Sequence, residues 1–369
     1  MSHENPEGID RRKRDLVKSA GGLMLAAAAA LPASRLAFAQ AAPAAPAAPA
    51  APGAGVSAWG DPATLVSAIG AGTLAVASLA ESTEAYRKGF GYVEHWRGPI
   101  PKAAAEFWGA PAMAGRNAAV LGPKGVQRGM LRIVELGKDF QQVSYHDTQG
   151  WLALEIQVVT PEAVISRLKG LPFVHTGGPG LAMDPAGKPL YRAVQFTGPS
   201  GEPLNMTQHM LLNTLAPLKS NVVGPLFYQT LATAQYPATK EFYLQTLGLK
   251  MRLEMDSRRT SIVEKLGLPK DQRFKLAAVR MPEFCSIELD EYPQGTPQRP
   301  ASPGCFAAGV AMCTMTTQNL DAVKAALTKA RIKFAETASN ACPPFQGSRA
   351  IFCLGRAGER IEVIEVAKA

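Results

Sequence analysis

The 369-residue sequence has few of the side chains that most often bind metals or carry out catalysis. It contains five histidines and five cysteines, and no two cysteines form a C-x-x-C pair, which argues against a zinc ribbon or a thioredoxin-like centre. No G-x-S-x-G motif, phosphate-binding loop or dinucleotide-binding fingerprint occurs at the required spacing. The enzyme classes that carry these motifs are therefore not indicated.

The five cysteines all fall in the last quarter of the chain, and their odd number leaves at least one unpaired. An oxidising compartment would allow one or two disulfide bonds. Cys313 and Cys353 stand in apolar, strand-like runs, so the simpler interpretation is that the cysteines are small buried hydrophobic side chains.

Positive charge is in excess, with a formal net charge of +9. Part of the excess comes from basic residues at positions 11–18, and the rest is spread along the chain. No basic stripe is interleaved with aromatic residues, so no nucleic-acid partner is expected. Hydrophobic residues make up 47% of the chain and charged residues 19%, which favours a globular protein over a disordered one.

The N-terminus has the order of a secretory signal peptide, which we assign to residues 1–39. A basic stretch at residues 11–18 precedes an apolar run at residues 21–31, and Ala-Phe-Ala at residues 37–39 matches a cleavage site. The basic stretch is similar to a twin-arginine signal, with the general export route as the alternative. The predicted localisation is periplasmic or secreted.

An Ala/Pro-rich stretch at residues 40–69 follows and is typical of a semi-rigid spacer. The preceding apolar run is shorter than the ~20 residues that a membrane-spanning helix requires. An uncleaved anchor is thus the less favoured interpretation, and no stable membrane span is expected after cleavage.

The rest of the chain repeats one pattern four times: an apolar strand, a helix, and further strands of which the last is short and apolar. The four modules begin near residues 72, 152, 226 and 309. Their last strands are expected at residues 130–136, 204–208, 285–289 and 358–365.

This repeated order resembles the vicinal-oxygen-chelate superfamily of glyoxalases, bleomycin-resistance proteins and extradiol dioxygenases. The segments that carry the resemblance are AYRKGFG (85–91), EFYLQTLGL (241–249), NLDAV (319–323) and GERIEVIE (358–365). It implies an α+β fold in which four βαβββ modules pair into two tandem glyoxalase-like domains, because a single module cannot bury its sheet face alone.

We expect modules one and two to form a first domain, residues 70–215, and modules three and four a second, residues 220–369. Each domain would curl around a cup. The resemblance places metal ligands on the first and last strands of each module. The corresponding residues are Ala71, Arg132, Ala153 and Asn205 in the first predicted cup, and Tyr228, Glu288, Met312 and Glu362 in the second.

Glu288 and Glu362 are thus the candidate metal ligands. With Tyr228 or the adjacent Gln229 they would hold one divalent ion, Mn, Zn, Fe or Mg, which would act as a Lewis acid. Tyr228 or Glu288 would then move a proton as the catalytic group. Two alternatives remain for the carboxylates: direct contact with an organic ligand, or pairing with a nearby arginine.

Four residues are candidates for contact with a small-molecule ligand: Asn205, His209, Arg132 and Gln229. His209 shares one face of its strand with Asn205, because side chains alternate along a strand.

Three functions fit these observations. The first is an exported metal-dependent enzyme, of the lyase, isomerase or oxygenase type, acting on a small oxygenated organic molecule. The second is a metal-free protein that sequesters a small molecule in its cups. The third is a structural or partner-binding protein of the cell envelope. The sequence leaves the oligomeric state open.

Overall fold

The computed structural model describes residues 64–183, 187–209, 222–283 and 285–367. All of them belong to one compact unit. The predicted signal peptide and most of the predicted spacer, residues 1–63, lie outside the described residues. Within the described part of the chain, no helix has the length and apolar character needed to cross a membrane.

Within the described ranges, sixteen strands and six α-helices follow one another in the predicted order. The strands are β1 (Ala68–Val76), β2 (Val93–Pro99), β3 (Asn117–Gly122), β4 (Met130–Glu135), β5 (Gly150–Val158), β6 (Val174–Met183), β7 (Pro189–Thr197), β8 (Pro203–His209), β9 (Val223–Thr233), β10 (Lys250–Ser257), β11 (Phe274–Arg280), β12 (Ser286–Glu291), β13 (Gly309–Thr317), β14 (Phe334–Thr337), β15 (Ala350–Leu354) and β16 (Arg360–Glu365). The helices are α1 (Leu79–Phe90), α2 (Lys102–Phe107), α3 (Pro161–Leu168), α4 (Tyr236–Glu241), α5 (Thr260–Leu266) and α6 (Leu320–Lys329), and α4 continues into a π-helical turn, Phe242–Thr246.

Side-chain caps begin three of the four helices that follow a first strand in the described part of the chain. The Ser78 side chain accepts a hydrogen bond from the backbone N–H of Glu81 at the start of α1, and Thr160 and Asn319 cap α3 and α6 in the same way. Gly91 ends α1 with a φ of 71°, a conformation that glycine adopts without steric cost.

The strands form two eight-stranded sheets, and the predicted fold of four βαβββ modules in two glyoxalase-like domains is confirmed. We call the first the terminal sheet, with the order β14-β15-β16-β13-β1-β4-β3-β2. We call the second the central sheet, with the order β10-β11-β12-β9-β5-β8-β7-β6.

The expected choice of partner modules was wrong. In the terminal sheet β1 pairs antiparallel with β13, so module one joins module four. In the central sheet β5 pairs antiparallel with β9, so module two joins module three. The sheets meet back to back at their middle strands. There Gly72 has no side chain, which leaves room for the side chains of Leu154 and Leu226. This packing between distant segments selects the partners.

Consecutive modules also contact each other, through the helix of one and the last hairpin of the next. The Tyr86 hydroxyl of α1 donates a hydrogen bond of 2.5 Å to Glu202, and both residues are buried. The Tyr243 hydroxyl donates one of 3.0 Å to the buried Glu359. The same tyrosine–glutamate pair therefore joins module one to module two and module three to module four.

The cysteines are all buried and none is in a disulfide bond. The interpretation of these residues as small hydrophobic side chains is thus confirmed.

Candidate functional site

Each sheet has a face that carries the helices after the first strands, which we call the helix face, and an opposite face, which we call the cup. In the terminal cup, strand register places Thr73 beside Arg132 and Thr314 beside Glu362. Arg132 and Glu362 are completely buried. Two guanidinium nitrogens of Arg132 each lie 3.1 Å from Oε2 of Glu362.

The Glu362 carboxylate is also hydrogen-bonded by neutral donors. Its Oε1 accepts from the Trp108 indole N–H at 2.8 Å and from the Asn340 amide at 3.0 Å, and its Oε2 accepts from the Thr314 hydroxyl at 2.7 Å. Burial alone would raise the pKa of Glu362, but Arg132 and these donors outweigh it and hold the pKa below its ordinary value. The carboxylate is ionised and fully partnered.

Large side chains fill the rest of the terminal cup. Trp108 and Met113, from the segment around α2, are completely buried together with Met312 and Cys342. The Arg132 guanidinium lies over the Trp108 ring, 4.9 Å from its centroid. Arg132 is therefore part of the buried core, and its predicted role in contacting a ligand is not supported.

The central cup has a different lining. A continuous row of polar side chains crosses four neighbouring strands: Gln195, Asn205, Glu155 and Tyr228 are successive cross-strand partners. Glu288 lies on the same face, one row further along β12 and opposite Thr230 of β9.

Two members of this row have no hydrogen-bond partner among the described residues. Glu155 accepts a 2.6 Å hydrogen bond from the Thr207 hydroxyl. The side chains of Tyr228, 7% exposed, and Gln195, 4% exposed, form no hydrogen bond with any residue that the structure describes. Their polar atoms therefore depend on water or on a bound molecule for hydrogen bonds.

The carboxyl groups of Glu155 and Glu288 in the central cup have raised pKa values. Burial raises the pKa of Glu155 to about 7, with Glu288 adding to the rise and Thr207 and Arg252 opposing it. Burial also raises the pKa of Glu288, opposed by Arg259. Burial and the two glutamates raise the pKa of the Tyr228 hydroxyl well above its ordinary value. Glu155 can thus change its protonation state near neutral pH.

Two arginines lie near these carboxyl groups. Arg259, just before α5, forms an ion pair with the buried Asp290, and its guanidinium lies 3.8 Å from Glu288. Arg252 lies on β10, where it is exposed to solvent but acts electrostatically on Glu155 and Tyr228.

Helix α5 covers one part of the central cup. Ile262 and Val263 of α5 are buried in the same apolar cluster as Ala232 of β9 and Phe274 of β11. The module-two part, with Glu155 and Asn205, has no such cover among the described residues, and both side chains are only partly buried.

The predicted pair of metal ligands does not form one site. Glu288 lies on β12 of the central sheet and Glu362 on β16 of the terminal sheet. The expectation that modules three and four share a cup was wrong. The two carboxylates are therefore not neighbours.

The other candidates are divided between the two faces. Asn205, His209 and Tyr228 share the central cup, where burial lowers the pKa of His209 to about 4 with a contribution from Arg252. Gln229 is completely buried on the helix face, because it is the neighbour of Tyr228 and side chains alternate. Its predicted contact with a ligand in the cup is contradicted.

Glu155 is the residue that the sequence analysis missed. It lies two positions after Ala153 and therefore shares its face. The signal was available, because Glu155 is a single carboxylate in the apolar strand LALEIQVV, just as Glu288 is in CSIEL. The sequence analysis placed the first-strand position of this module on Ala153, two residues before Glu155.

The residues present do not fit the divalent ion that the resemblance implies. The oxygens of Glu362 are already engaged, and the positive charge beside them belongs to Arg132. Among the described residues there is no group of three or more His, Cys, Asp or Glu side chains arranged to hold an ion. Zinc and non-haem iron sites normally need three or four protein ligands.

Comparisons with known proteins agree with the fold. No family model and no curated protein matches the chain. Glyoxalase I from Zea mays superposes with a TM-score of 0.54 at 14% identity, over 81% of this chain and 92% of that chain. A proposed dioxygenase from Bacillus subtilis superposes with a TM-score of 0.57 at 14% identity, over 82% of this chain and 86% of that chain. The resemblance to the vicinal-oxygen-chelate superfamily is thus confirmed at the level of the fold.

Proposed function

We propose that the protein binds a small organic molecule in the central cup without a metal ion, and that it does so outside the cytoplasm. The observation that carries this proposal is the row Gln195, Asn205, Glu155 and Tyr228. Two of its members are more than nine-tenths buried yet form no hydrogen bond with a described residue. Their polar atoms are left to water or to a bound ligand as hydrogen-bond partners.

The contrast between the two cups supports the same conclusion. In the terminal cup the Glu362 carboxylate has partners for both oxygens and is closed off by apolar side chains. In the central cup the equivalent carboxylate, Glu288, has one ion-pair partner among the described residues, Arg259 at 3.8 Å. Small-molecule sites typically combine apolar walls with a few convergent polar groups, and only the central cup has that composition.

The test is a fragment screen by methyl NMR on the mature protein. Ala278 and Leu253 lie on the central cup, in the same cross-strand row as Glu288. Ala71 and Ile364, completely buried in the terminal cup, serve as internal references. We expect bound fragments to shift the Ala278 and Leu253 methyl signals and to leave the other two unchanged. Fragments that shift only the terminal-cup signals would overturn the proposal.

A pair of variants assigns the binding to the polar row. Asn205→Leu removes the amide from the row with little change in volume, and we expect it to weaken fragment binding about tenfold. Asn117→Leu makes the same change at an exposed position of β3 and should have no effect. Equal fragment affinities for the two variants would show that the polar row does not contribute to binding.

A further inference from the structure

We infer that the ligand of the central cup carries a protonated nitrogen, as an ammonium, amidinium or guanidinium group, which binds between Glu155 and Glu288. This inference rests on the proposed function and specifies the chemical class of the ligand. The Tyr228 hydroxyl and the Gln195 amide, both without hydrogen bonds to described residues, lie in the same row as Glu155 and would bind neutral polar atoms of the same molecule.

The charges around the central cup favour a cation. Glu155, Glu288 and Asp290 face two arginines, Arg252 and Arg259. Arg259 is engaged by Asp290, and Arg252 is exposed, so water screens its charge. With all carboxyl groups ionised, one negative charge remains, and no ion pair within the described residues satisfies Glu155. A single positive charge on the ligand would balance the site.

The aromatic side chains reinforce this preference. Tyr228 lies next to Glu155 in the row, and Tyr191 of β7 is close enough for both glutamates to raise its pKa. The negative face of a phenol ring attracts cations, and both rings are neutral at physiological pH because burial raises their pKa further. An anionic ligand would instead approach two carboxyl groups while the nearest arginine is already paired.

Binding of a cation should be coupled to the release of a proton. Glu155 has a pKa of about 7 in the absence of a ligand, and a bound cation favours its ionised form. Affinity should therefore rise as the pH rises through about 7. The other titratable or charged groups that face the site are Glu288, Asp290, Arg252, Arg259, Tyr191, Tyr228 and His209.

Three probes of similar shape and different charge test the inference: benzamidine, benzyl alcohol and benzoate. Binding is followed by the methyl signals of Ala278 and Leu253, and by calorimetry in buffers of different ionisation enthalpy. We expect benzamidine to bind most tightly and to release about half a proton at a pH of about 7, where Glu155 is half ionised. Glu155→Gln should weaken benzamidine about tenfold and abolish proton release, whereas Glu241→Gln, an exposed position on α4, should do neither.

The outcomes separate this inference from the proposed function. If benzyl alcohol or benzoate shifts the Ala278 and Leu253 signals at least as tightly as benzamidine does, the cup binds small molecules but the inference of a cation is wrong. If Glu155→Gln binds benzamidine like the wild type, the inference is also wrong. If none of the three probes shifts either signal at about 10 mM, which corresponds to a binding energy weaker than about 3 kcal/mol, both proposals fail.

Discussion

Arg132 and Glu362, which are 230 positions apart in the chain, meet at 3.1 Å in the completely buried floor of the terminal cup. Glu362 occupies the position at which the resemblance implies a metal ligand, and Arg132 contributes the positive charge there. A guanidinium group fixed by the fold thus stands where the resemblance would place an ion. The terminal cup is consequently a structural core, and the candidate site is confined to the central cup.

The first prediction concerns this ion pair. Arg132→Met should reduce the free energy of unfolding by about 3–5 kcal/mol, because Glu362 would remain buried without a positive partner. Denaturant titration measures the loss. The double variant Arg132→Met, Glu362→Leu should recover much of it, because no buried charge remains. A single variant as stable as the wild type would show that the pair does not hold the terminal cup together.

Gln229 offers a stabilising substitution. Its side-chain amide is completely buried, and neither its nitrogen nor its oxygen has a hydrogen-bond partner among the described residues. Gln229→Leu should raise the free energy of unfolding by about 1–2 kcal/mol, because the desolvation cost of the amide disappears. The matched control is Gln149→Leu, since the Gln149 amide donates to Thr296 and accepts from the backbone of Ala234. Gln149→Leu should destabilise the protein. A Gln229→Leu variant that is less stable than the wild type would contradict the predicted stabilisation.

The buried tyrosine–glutamate pairs should make stability depend on pH. Burial raises the pKa of Glu359 from 4.5 to about 7 and that of Glu202 to about 6. The folded protein therefore holds protons that the unfolded chain loses above a pH of about 4.5, and the free energy of unfolding should fall as the pH rises from there to about 7.

Glu359→Gln tests the sign of this dependence. The variant lacks the titrating group, so its stability relative to the wild type should improve by roughly 2–3 kcal/mol between pH 4.5 and pH 8. Thermal or denaturant unfolding across this range measures the change. Glu241→Gln, at an exposed position, is the control, and its free energy of unfolding should vary with pH as that of the wild type does. A Glu359→Gln variant that also runs parallel would mean that Glu359 titrates alike in the folded and unfolded chains.

Metal content provides an independent check on the central cup. We expect elemental analysis of protein prepared without chelator to find no stoichiometric Zn or Fe, because the described residues provide no set of three ligands. One equivalent of metal that disappears in Glu288→Gln but not in Glu362→Gln would contradict this expectation and place an ion in the central cup.

Several site residues were accessible to sequence analysis because their positions follow from alternation along a strand. Asn205 and His209 were assigned to one cup face, and Tyr228 and Glu288 to another, and each was correctly placed within its own module. Glu155 was missed because the first-strand position of its module was placed on Ala153, two residues before it. No local sequence pattern indicated that Asn205 and Tyr228 would face the same cup.

The sequence by itself determined the four modules, their strand–helix order and the burial of their first strands, because these depend on caps, turns and apolar periodicity within short segments. Only the tertiary structure decided which modules share a sheet. The four first strands are similar apolar runs, so their pairing depends on contacts such as that of Gly72 with Leu226, made by residues far apart in the chain. That pairing placed Arg132 against Glu362 and Glu155 beside Tyr228, and so decided which cup is closed and which can bind a ligand.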